Sequence, residues 1–432
     1  MRMLTASFAL VSLLIFSAST GARELPFASA ERMQLRITKL SNFGANPVGG
    51  VSRVAFSEFD IEARKYIASL MTDAGLKVQI DTAGNLVGSR AGQQFLAPIM
   101  FGSHIDSVPG GGNYDGVVGV IGALEVAQLL HDNQIPTRHT LQVVVFSDEE
   151  GGLTGSRAMV GKLGASALQV KSHSGLTIAE GLRAIGGDPD RLHEAQRNPG
   201  ELTAFIELHI EQGGILDQGS IEIGVVTGIV GIQWWDIVIT GVANHAGTTP
   251  MNARHDAMLS AAELVLAINE IITSVPGAQV GTVGRINAEP GAPNVIPGKV
   301  TMSLEIRDLS ADTIWNMFKR IEARAAVIAG QHGTNIIFQH VPVDAEPAPT
   351  DEHLQRIINR SAESLGLSSK YMPSGAGHDA QDMAQIAPTG MIFVPSAGGI
   401  SHSPDEYTSP EDMANGANVL LRTVLAVDGQ LE

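Results

Sequence analysis

The sequence predicts an α/β protein with a mainly parallel sheet, interrupted by an inserted α+β domain. Two observations carry this prediction. Apolar, β-rich runs alternate with helix-like runs on both sides of the middle of the chain, which is typical of strand–helix–strand units. The segment from about 221 to 342 follows a different order, with half-buried strands and long amphipathic helices. Because polar motifs occur on both sides of this segment, it is predicted to interrupt a single domain.

Four apolar runs predict the strands of the larger domain: 97–104, 140–150, 202–213 and 389–396. Residues 116–130 are apolar all round and predict a buried helix. In parallel sheets, ligands bind beyond the carboxyl ends of the strands. The polar candidates for a site lie at those ends.

The inserted segment predicts a small ferredoxin-like sandwich. Its alternating runs predict strands over 234–243, 300–309 and 335–343, and its amphipathic runs predict helices over 253–275 and 311–333. The predicted divisions of the chain are 31–220 and 343–432 for the two parts of the catalytic domain, and 221–342 for the inserted domain.

The N-terminus predicts a secretory signal over residues 1–22. Arg2 precedes an apolar stretch from about Leu4 to Phe16, and small residues then offer a cleavage site. The expected location is therefore periplasmic or secreted. An uncleaved membrane anchor is the alternative, although the apolar part is short for a span.

Composition excludes several classes of function. The 432 residues contain 45 acidic and 28 basic side chains, a net charge of −17, and no cysteine. Nucleic acid and anionic membranes would repel such a chain, so neither is expected as a partner. Without cysteine there is no disulfide, thiol nucleophile or thiolate-bound zinc.

The first two motifs place acids and a histidine after predicted strands. In "GSHIDSVPGGGNYDG", His104 ends a strand, Asp106 could orient its ring, and Asp115 follows a glycine-rich turn. In "SDEE", Glu149 and Glu150 could divide two roles, metal ligand and proton acceptor. A surface histidine and a solvated acidic turn are the alternatives for each motif alone.

Two further histidines complete the set. His209 lies in the apolar run "ELHIEQGG", and His402 lies in the loop "SAGGISHSPDE". Each alone could be a structural histidine. Together, three histidines and several carboxylates at strand ends favour a metal site with mixed ligands.

These motifs, in this order, resemble the dinuclear-metal hydrolases of the aminoacylase/carboxypeptidase G superfamily. The runs "ELHIEQG" and "NHAGTTPM" resemble its amidase/hydantoinase/carbamoylase family in particular, over residues 31–430. The resemblance implies two divalent metal ions, Zn²⁺ or Mn²⁺, with Co²⁺ or Ni²⁺ as further possibilities. It implies that Asp115 bridges them, with Glu150 and His402 at one ion and His104 and His209 at the other. Glu149 would be the general base. Asp106 would orient a metal ligand without binding metal itself.

The resemblance also implies how substrate is held. The inserted domain would act as a lid and as a homodimer interface. His245 would reach the active site of the partner subunit and polarise the scissile carbonyl there. The residues expected to bind substrate are Gln212, His245, Asn294, Arg307 and His378. The alternatives from the residues themselves are local: a turn for His245 and Asn294, an ion pair with Asp308 for Arg307, and a structural pair with Asp379 for His378.

The expected activity is hydrolysis of a linear amide or ureido C–N bond in a small carboxylate. N-carbamoyl-L-amino acids, allantoate and ureidoglycolate are the substrate types that the resemblance implies. An exported aminoacylase or dipeptidase is the alternative enzyme. A small-molecule binding protein without catalysis is the alternative outside enzymes.

Overall fold

The computed structural model describes residues 25–341 and 345–431. The predicted signal at 1–22 and the predicted domain boundary between 342 and 343 lie outside the described residues. Within the described residues, no helix is long and apolar enough to cross a membrane.

The strands and helices follow the predicted runs closely. In chain order the strands are β1 (Lys77–Ile80), β2 (Leu86–Arg90), β3 (Ile99–His104), β4 (Leu141–Phe146), β5 (Ala204–Ile210), β6 (Ile223–Ile229), β7 (Gly231–Thr240), β8 (Asn244–His245), β9 (Val280–Thr282), β10 (Ile286–Glu289), β11 (Val295–Ile296), β12 (Lys299–Asp308), β13 (Asn335–Val341), β14 (Ala348–Pro349), β15 (Ser369–Ser374) and β16 (Thr389–Val394). The helices are α1 (Ala30–Leu40), α2 (Glu58–Asp73), α3 (Val117–Asp132), α4 (Glu149–Gly152), α5 (Thr154–Met159), α6 (Ile178–Ala184), α7 (Ile215–Gly219), α8 (Ala257–Thr273), α9 (Ala311–His332), α10 (Glu352–Ser364), α11 (Asp379–Met383) and α12 (Pro410–Val427).

The larger sheet has the order β1-β2-β4-β3-β5-β16-β6-β14, and β15 also pairs with β6. Its central strands β4, β3, β5 and β16 run parallel to one another. The strands on either side, β2 and β6, join this centre in antiparallel fashion. The predicted α/β class is therefore confirmed, with a parallel centre and antiparallel flanks.

The parallel centre is buried because its strands are continuously apolar. Every residue of β3 and β5 is buried. Helix α3 packs against β3 and β5 on one side and α12 on the other, which explains its apolar residues all round. Polar side chains are consequently displaced to the carboxyl ends of the strands, where loops can hold them.

The second sheet, in the order β10-β12-β7-β13 with β9 beside β12, is antiparallel throughout. Its strands alternate, and the inward side chains of β7 (Trp235, Ile237 and Ile239) are buried against α8 and α9. One prediction needs correction here. Strand β6 lies beyond residue 221, where the inserted domain was expected to begin, but it pairs within the larger sheet. Its apolar run suits either sheet, so the sequence does not show which one it joins.

Candidate metal centre

Asp115 lies at the centre of a cluster of histidines and carboxylates. Its Oδ1 is 3.1 Å from His209 Nε2 and 3.7 Å from His104 Nε2. Its Oδ2 is 3.1 Å from His402 Nε2, which is itself 3.5 Å from Glu150 Oε2. The two oxygens of one carboxylate thus face two separate groups of ligand atoms, His104–Asp115–His209 and Asp115–Glu150–His402.

The parallel centre of the sheet brings these residues together. His104 ends β3, His209 lies at the end of β5, and Glu150 follows β4 in α4. His402 belongs to the loop after β16. Asp115 lies in the turn before α3, where Gly116 has a φ of 64° and a Cβ would come within 2.4 Å of His104 Nε2. Only glycine allows this close approach of the turn to the histidine.

The backbone orients the two buried histidines. His209 Nδ1 lies 2.9 Å from the carbonyl oxygen of Ile210, and His104 Nδ1 lies 3.1 Å from that of Asp106. With Nδ1 held by a carbonyl, Nε2 of each ring faces Asp115. This is the arrangement that metal-binding histidines require.

Asp106 contacts both His104 and the start of α4. Its backbone carbonyl oxygen lies 3.1 Å and its carboxylate Oδ1 3.6 Å from His104 Nδ1. The carboxylate also accepts hydrogen bonds from the backbone amides of Glu149 (3.3 Å) and Glu150 (3.1 Å). Asp106 therefore fixes the first residues of α4, which carry both glutamates.

Glu149 lies beside the cluster, with Oε2 3.6 Å from His104 Nε2. It belongs to none of the groups of candidate ligand atoms in the described chain. The preceding Asp148 has a φ of 53°, a left-handed conformation that is uncommon outside glycine and is often found at functional sites. Glu149 is thus placed to act on a bound molecule without being needed as a ligand.

The buried carboxylates of the cluster need positive charge nearby. Burial raises the pKa of Glu149 well above its ordinary value, and the nearby Asp379 and Glu150 raise it further. Burial, together with Asp115, raises the pKa of Glu150 to about 7. Burial alone would raise the pKa of Asp115, but hydrogen bonds with His209 and His402 outweigh burial and lower it well below its ordinary value. Crowded carboxylates of this kind need protons or metal ions for compensation.

The cluster opens to solvent on one side. The side chains of His104 and His209 are 1% exposed and that of Asp115 is 7% exposed, whereas that of His402 is 48% exposed. A small molecule can therefore reach the cluster past His402, while the opposite side is closed by the sheet.

Two of the predicted substrate residues also lie at the cluster. Gln212 Nε2 donates to Asp115 Oδ2 over 2.7 Å, and its Oε1 is buried without a hydrogen-bond partner in the described chain. His378 stacks edge-on to His209 at 4.5 Å and shares a hydrogen bond of 2.8 Å with Ser374 Oγ. Burial, with a contribution from His209, lowers the pKa of His378 well below its ordinary value, which favours the neutral ring. The alternative pairing of His378 with Asp379 is not formed.

The other predicted substrate residues lie on the inserted segment. His245 and Asn294 are exposed; His245 ends β8 and Asn294 precedes β11, which pairs with β8, and the Ala246 amide donates to the Asn294 carbonyl over 3.0 Å. The hydrogen bonds of the His245 ring are with its own turn, so the structure brings these two residues together with each other and not with the cluster. Arg307 forms an ion pair with Glu305 at 2.8 Å, not with Asp308. It also donates to the carbonyl of Gly375 over 2.7 Å, in the loop that leads to His378.

Sequence reasoning did not select two buried acids of the site. Glu207 accepts from Ser103 Oγ (2.7 Å) and from the Ala380 amide (2.9 Å), which ties β5 to β3 and α11. Glu406 accepts from both the Asp115 turn and the His402 loop. Glu207 could have been suspected, because a glutamate in a wholly apolar strand must have partners. Glu406 has no such signal in the sequence, since it lies in a polar loop and its partners in the Asp115 turn are almost 300 residues away.

The fold and the cluster together define a metal-dependent hydrolase, and comparisons with known proteins agree. The profile of peptidase family M20/M25/M40 matches residues 100–426. The chain belongs to this family, whose enzymes are metal-dependent.

Similar proteins indicate which members of this family the chain resembles. The chain is 41% identical over 400 residues to an N-carbamoyl-L-amino acid amidohydrolase of Geobacillus stearothermophilus, covering 91% of this chain and 97% of the relative. It is 37% identical to a ureidoglycolate hydrolase of Oryza sativa, covering 91% and 84%. A solved structure of a hydantoinase/carbamoylase family amidase from Burkholderia multivorans is 36% identical with a TM-score of 0.88, covering 94% of this chain and 99% of that one. The resemblance inferred from the motifs is confirmed.

The donor atoms of these residues are of the kinds that bind divalent metal ions. Imidazole nitrogens and carboxylate oxygens within 4.8 Å of one another form each group, and a backbone carbonyl holds the other ring nitrogen of His104 and of His209. Such mixed sets bind Zn²⁺ and similar divalent ions.

Chelation is expected to lower the melting temperature of the protein. A bound ion stabilises the folded chain by about 4 kcal/mol when its free concentration is ~1,000-fold above the dissociation constant. Thermal unfolding should be followed before and after treatment with a chelator, and after return of Zn²⁺ or Mn²⁺. Return of Mg²⁺, which prefers oxygen ligands, is the control. An unchanged melting temperature after complete metal removal would contradict a metal centre at these residues.

Proposed function

We propose that this protein is a metal-dependent amidohydrolase that cleaves a linear amide or ureido C–N bond in a small carboxylate. The substrate types supported by the relatives are N-carbamoyl-L-amino acids and ureidoglycolate, and allantoate has the same ureido and carboxylate groups. The proposal depends most on the position of Asp115. Its two carboxylate oxygens face separate ligand groups, and Glu149 lies beside them without belonging to either group.

We propose two divalent ions, Zn²⁺ or Mn²⁺, with Co²⁺ or Ni²⁺ as further possibilities. His104 and His209 would hold one, Glu150 and His402 the other, and Asp115 both. When bound, such ions polarise a carbonyl oxygen and lower the pKa of water to about 7.

The chain's own residues then supply proton transfer and orientation. Glu149 accepts a proton from the attacking water and passes it to the leaving nitrogen. Asp106 keeps Glu149 in place through the α4 amides. Gln212 Oε1, a buried acceptor without a partner, can receive an N–H of the ureido group.

His245 is suited to polarise the scissile carbonyl. Its Nδ1 accepts hydrogen bonds from the amides of Gly247 (3.0 Å) and Thr248 (3.2 Å). With Nδ1 as acceptor, a neutral ring carries its proton on Nε2, which is free to donate. Because the ring's contacts are local and it is exposed, we propose a homodimer in which His245 serves the site of the second copy.

Arg307 is proposed to bind the substrate carboxylate, which a guanidinium matches with two parallel hydrogen bonds. Arg307→Lys should therefore raise KM for carboxylate substrates by about 10–100-fold, since a hydrogen bond to a charged group contributes about 1.5–3 kcal/mol. Steady-state kinetics should compare a carboxylate substrate with its carboxamide analogue, whose KM should change little. Arg285→Lys, at an exposed ion pair on the same sheet, is the matched control. An unchanged KM for the carboxylate substrate would remove Arg307 from this role.

Export through the N-terminal signal is also proposed. Cell fractionation with N-terminal sequencing should find a mature chain that begins near residue 23 outside the cytoplasm. A full-length chain confined to the cytoplasm would contradict export.

The reaction class is tested with the mature protein reloaded separately with Zn²⁺ and Mn²⁺. Ammonia release should be measured from N-carbamoyl-L-amino acids, β-ureidopropionate, allantoate and ureidoglycolate. Amine release should be measured from N-acetyl amino acids and dipeptides. Ammonia from a ureido compound is the expected result, and the preferred compound identifies the substrate. Amine release from acyl or peptide substrates alone would instead identify an aminoacylase or dipeptidase. Tight binding of a ureido compound without turnover would identify a binding protein.

A further inference from the structure

Glu406 is a buried carboxylate whose acceptor positions are all in use. It is 4% exposed and lies in the loop between β16 and α12. Oε1 accepts from the backbone amides of Tyr114 (2.8 Å) and Asp115 (3.0 Å). Oε2 accepts from Ser401 Oγ (2.8 Å) and the His402 amide (3.3 Å). An ionised carboxylate offers about four such positions, so Glu406 has none left for a metal ion.

The four donors belong to two loops that are distant in sequence. Tyr114 and Asp115 precede α3, and Ser401 and His402 follow β16, nearly 300 residues later. Each loop carries one of the candidate ligands, and those ligands, Asp115 Oδ2 and His402 Nε2, lie 3.1 Å apart. Glu406 joins the two loops through three backbone amides and the Ser401 hydroxyl.

The residues around Glu406 leave room for its side chain. A Cβ at Gly112 would lie 2.2 Å from Glu406 Oε1, so only glycine leaves room for the carboxylate beneath the Asp115 turn. His402 itself has a φ of 53°, a conformation that its neighbours must hold because it is unfavourable for a side chain of this size.

We propose that Glu406 is the positioning residue of the metal centre, because it sets the separation of Asp115 and His402 and so the geometry of the Asp115–Glu150–His402 group. The inference rests on the proposed function only in taking those three residues as metal ligands. Outer residues that orient metal ligands typically contribute about 10–100-fold to metal affinity.

Glu406→Gln tests the proposal without changing the size of the side chain. A glutamine carries one carbonyl oxygen and one NH₂ group, so it cannot accept from both pairs of donors. Mn²⁺ affinity should be measured by titration calorimetry on the metal-free protein, and the variant should bind about 10–100-fold more weakly at one of its sites. Glu411→Gln, the same change at an exposed position in the first turn of α12, should bind Mn²⁺ as the unmodified protein does.

A second variant covers the case in which Glu406→Gln fails to fold. Ser401→Ala removes one donor to Glu406, together with the longer contact of 3.3 Å between Ser401 Oγ and Asp115 Oδ2, and leaves the Glu406 carboxylate in place, so its Mn²⁺ affinity should fall by a smaller factor. Wild-type Mn²⁺ affinity in folded Glu406→Gln, or in Ser401→Ala when the first variant is unfolded, would overturn the proposal. Because the readout is metal binding, it is separate from turnover: a wild-type protein that binds Mn²⁺ but hydrolyses no ureido compound refutes the proposed activity and leaves the role of Glu406 standing.

Discussion

Glu149→Gln is expected to lower kcat by about 10²–10⁴-fold while the metal content stays unchanged. Glutamine keeps the shape of the side chain but cannot accept a proton from water. The metal should remain because Glu149 belongs to neither group of ligand atoms around Asp115. The loss should appear in kcat more than in KM, since proton transfer takes place in the transition state.

Metal content by atomic emission and kcat for ammonia release should be measured on the same preparation. Glu322→Gln, at an exposed position on α9, is the control for the chemical change itself. Turnover close to wild type in fully metal-loaded Glu149→Gln would mean that another group accepts the proton. Loss of metal in this variant would mean that Glu149 is a ligand.

Asp115→Asn is expected to have the largest effect on metal binding, because Asp115 is shared by both ligand groups. Loss of one partner from a buried charged pair costs about 3–5 kcal/mol. Since each 1.4 kcal/mol is tenfold, the affinity for metal should fall by about 100–4,000-fold. His209 and His402, which face opposite oxygens of Asp115, would both lose their charged neighbour.

The metal stoichiometry of this variant should be measured after dialysis against a weak chelator. Asp405→Asn removes one charge at an exposed position near His402 and should retain its metal. Full retention of metal by Asp115→Asn would show that the carboxylate does not bridge the two groups.

The fold was predictable where the sequence is strongly apolar. The runs that became β3, β4, β5 and β16 are buried in the parallel centre, so hydrophobicity alone marks them. Strand β6 shows where this ends. Its residues are as apolar as those of its neighbours, and only its pairing with β15 and β16 assigns it to the larger sheet.

The candidate ligands were predictable because strand ends concentrate polar side chains, and because the motifs resemble a known family. The hydrogen bonds that orient them were not. The carboxylate of Asp106 contacts the α4 amides as well as the His104 ring, and the carbonyl of the same residue is the closer contact of that ring. Glu406 accepts hydrogen bonds from Tyr114 and Asp115, almost 300 residues earlier in the chain, and no local pattern distinguishes it from Asp405. His245 and Asn294 are recognisable as motifs, but both are exposed and the hydrogen bonds of the His245 ring are with its own turn.

Ammonia release during titration of the metal-free protein with Mn²⁺ tests the central claim most directly. The preferred ureido compound of the substrate comparison should be present at saturating concentration. Release should be absent without metal, rise with added Mn²⁺ and reach its maximum at two ions per chain. Ammonia release by protein from which metal has been completely removed would contradict the account, as would a fully loaded, folded protein that releases none from any ureido compound.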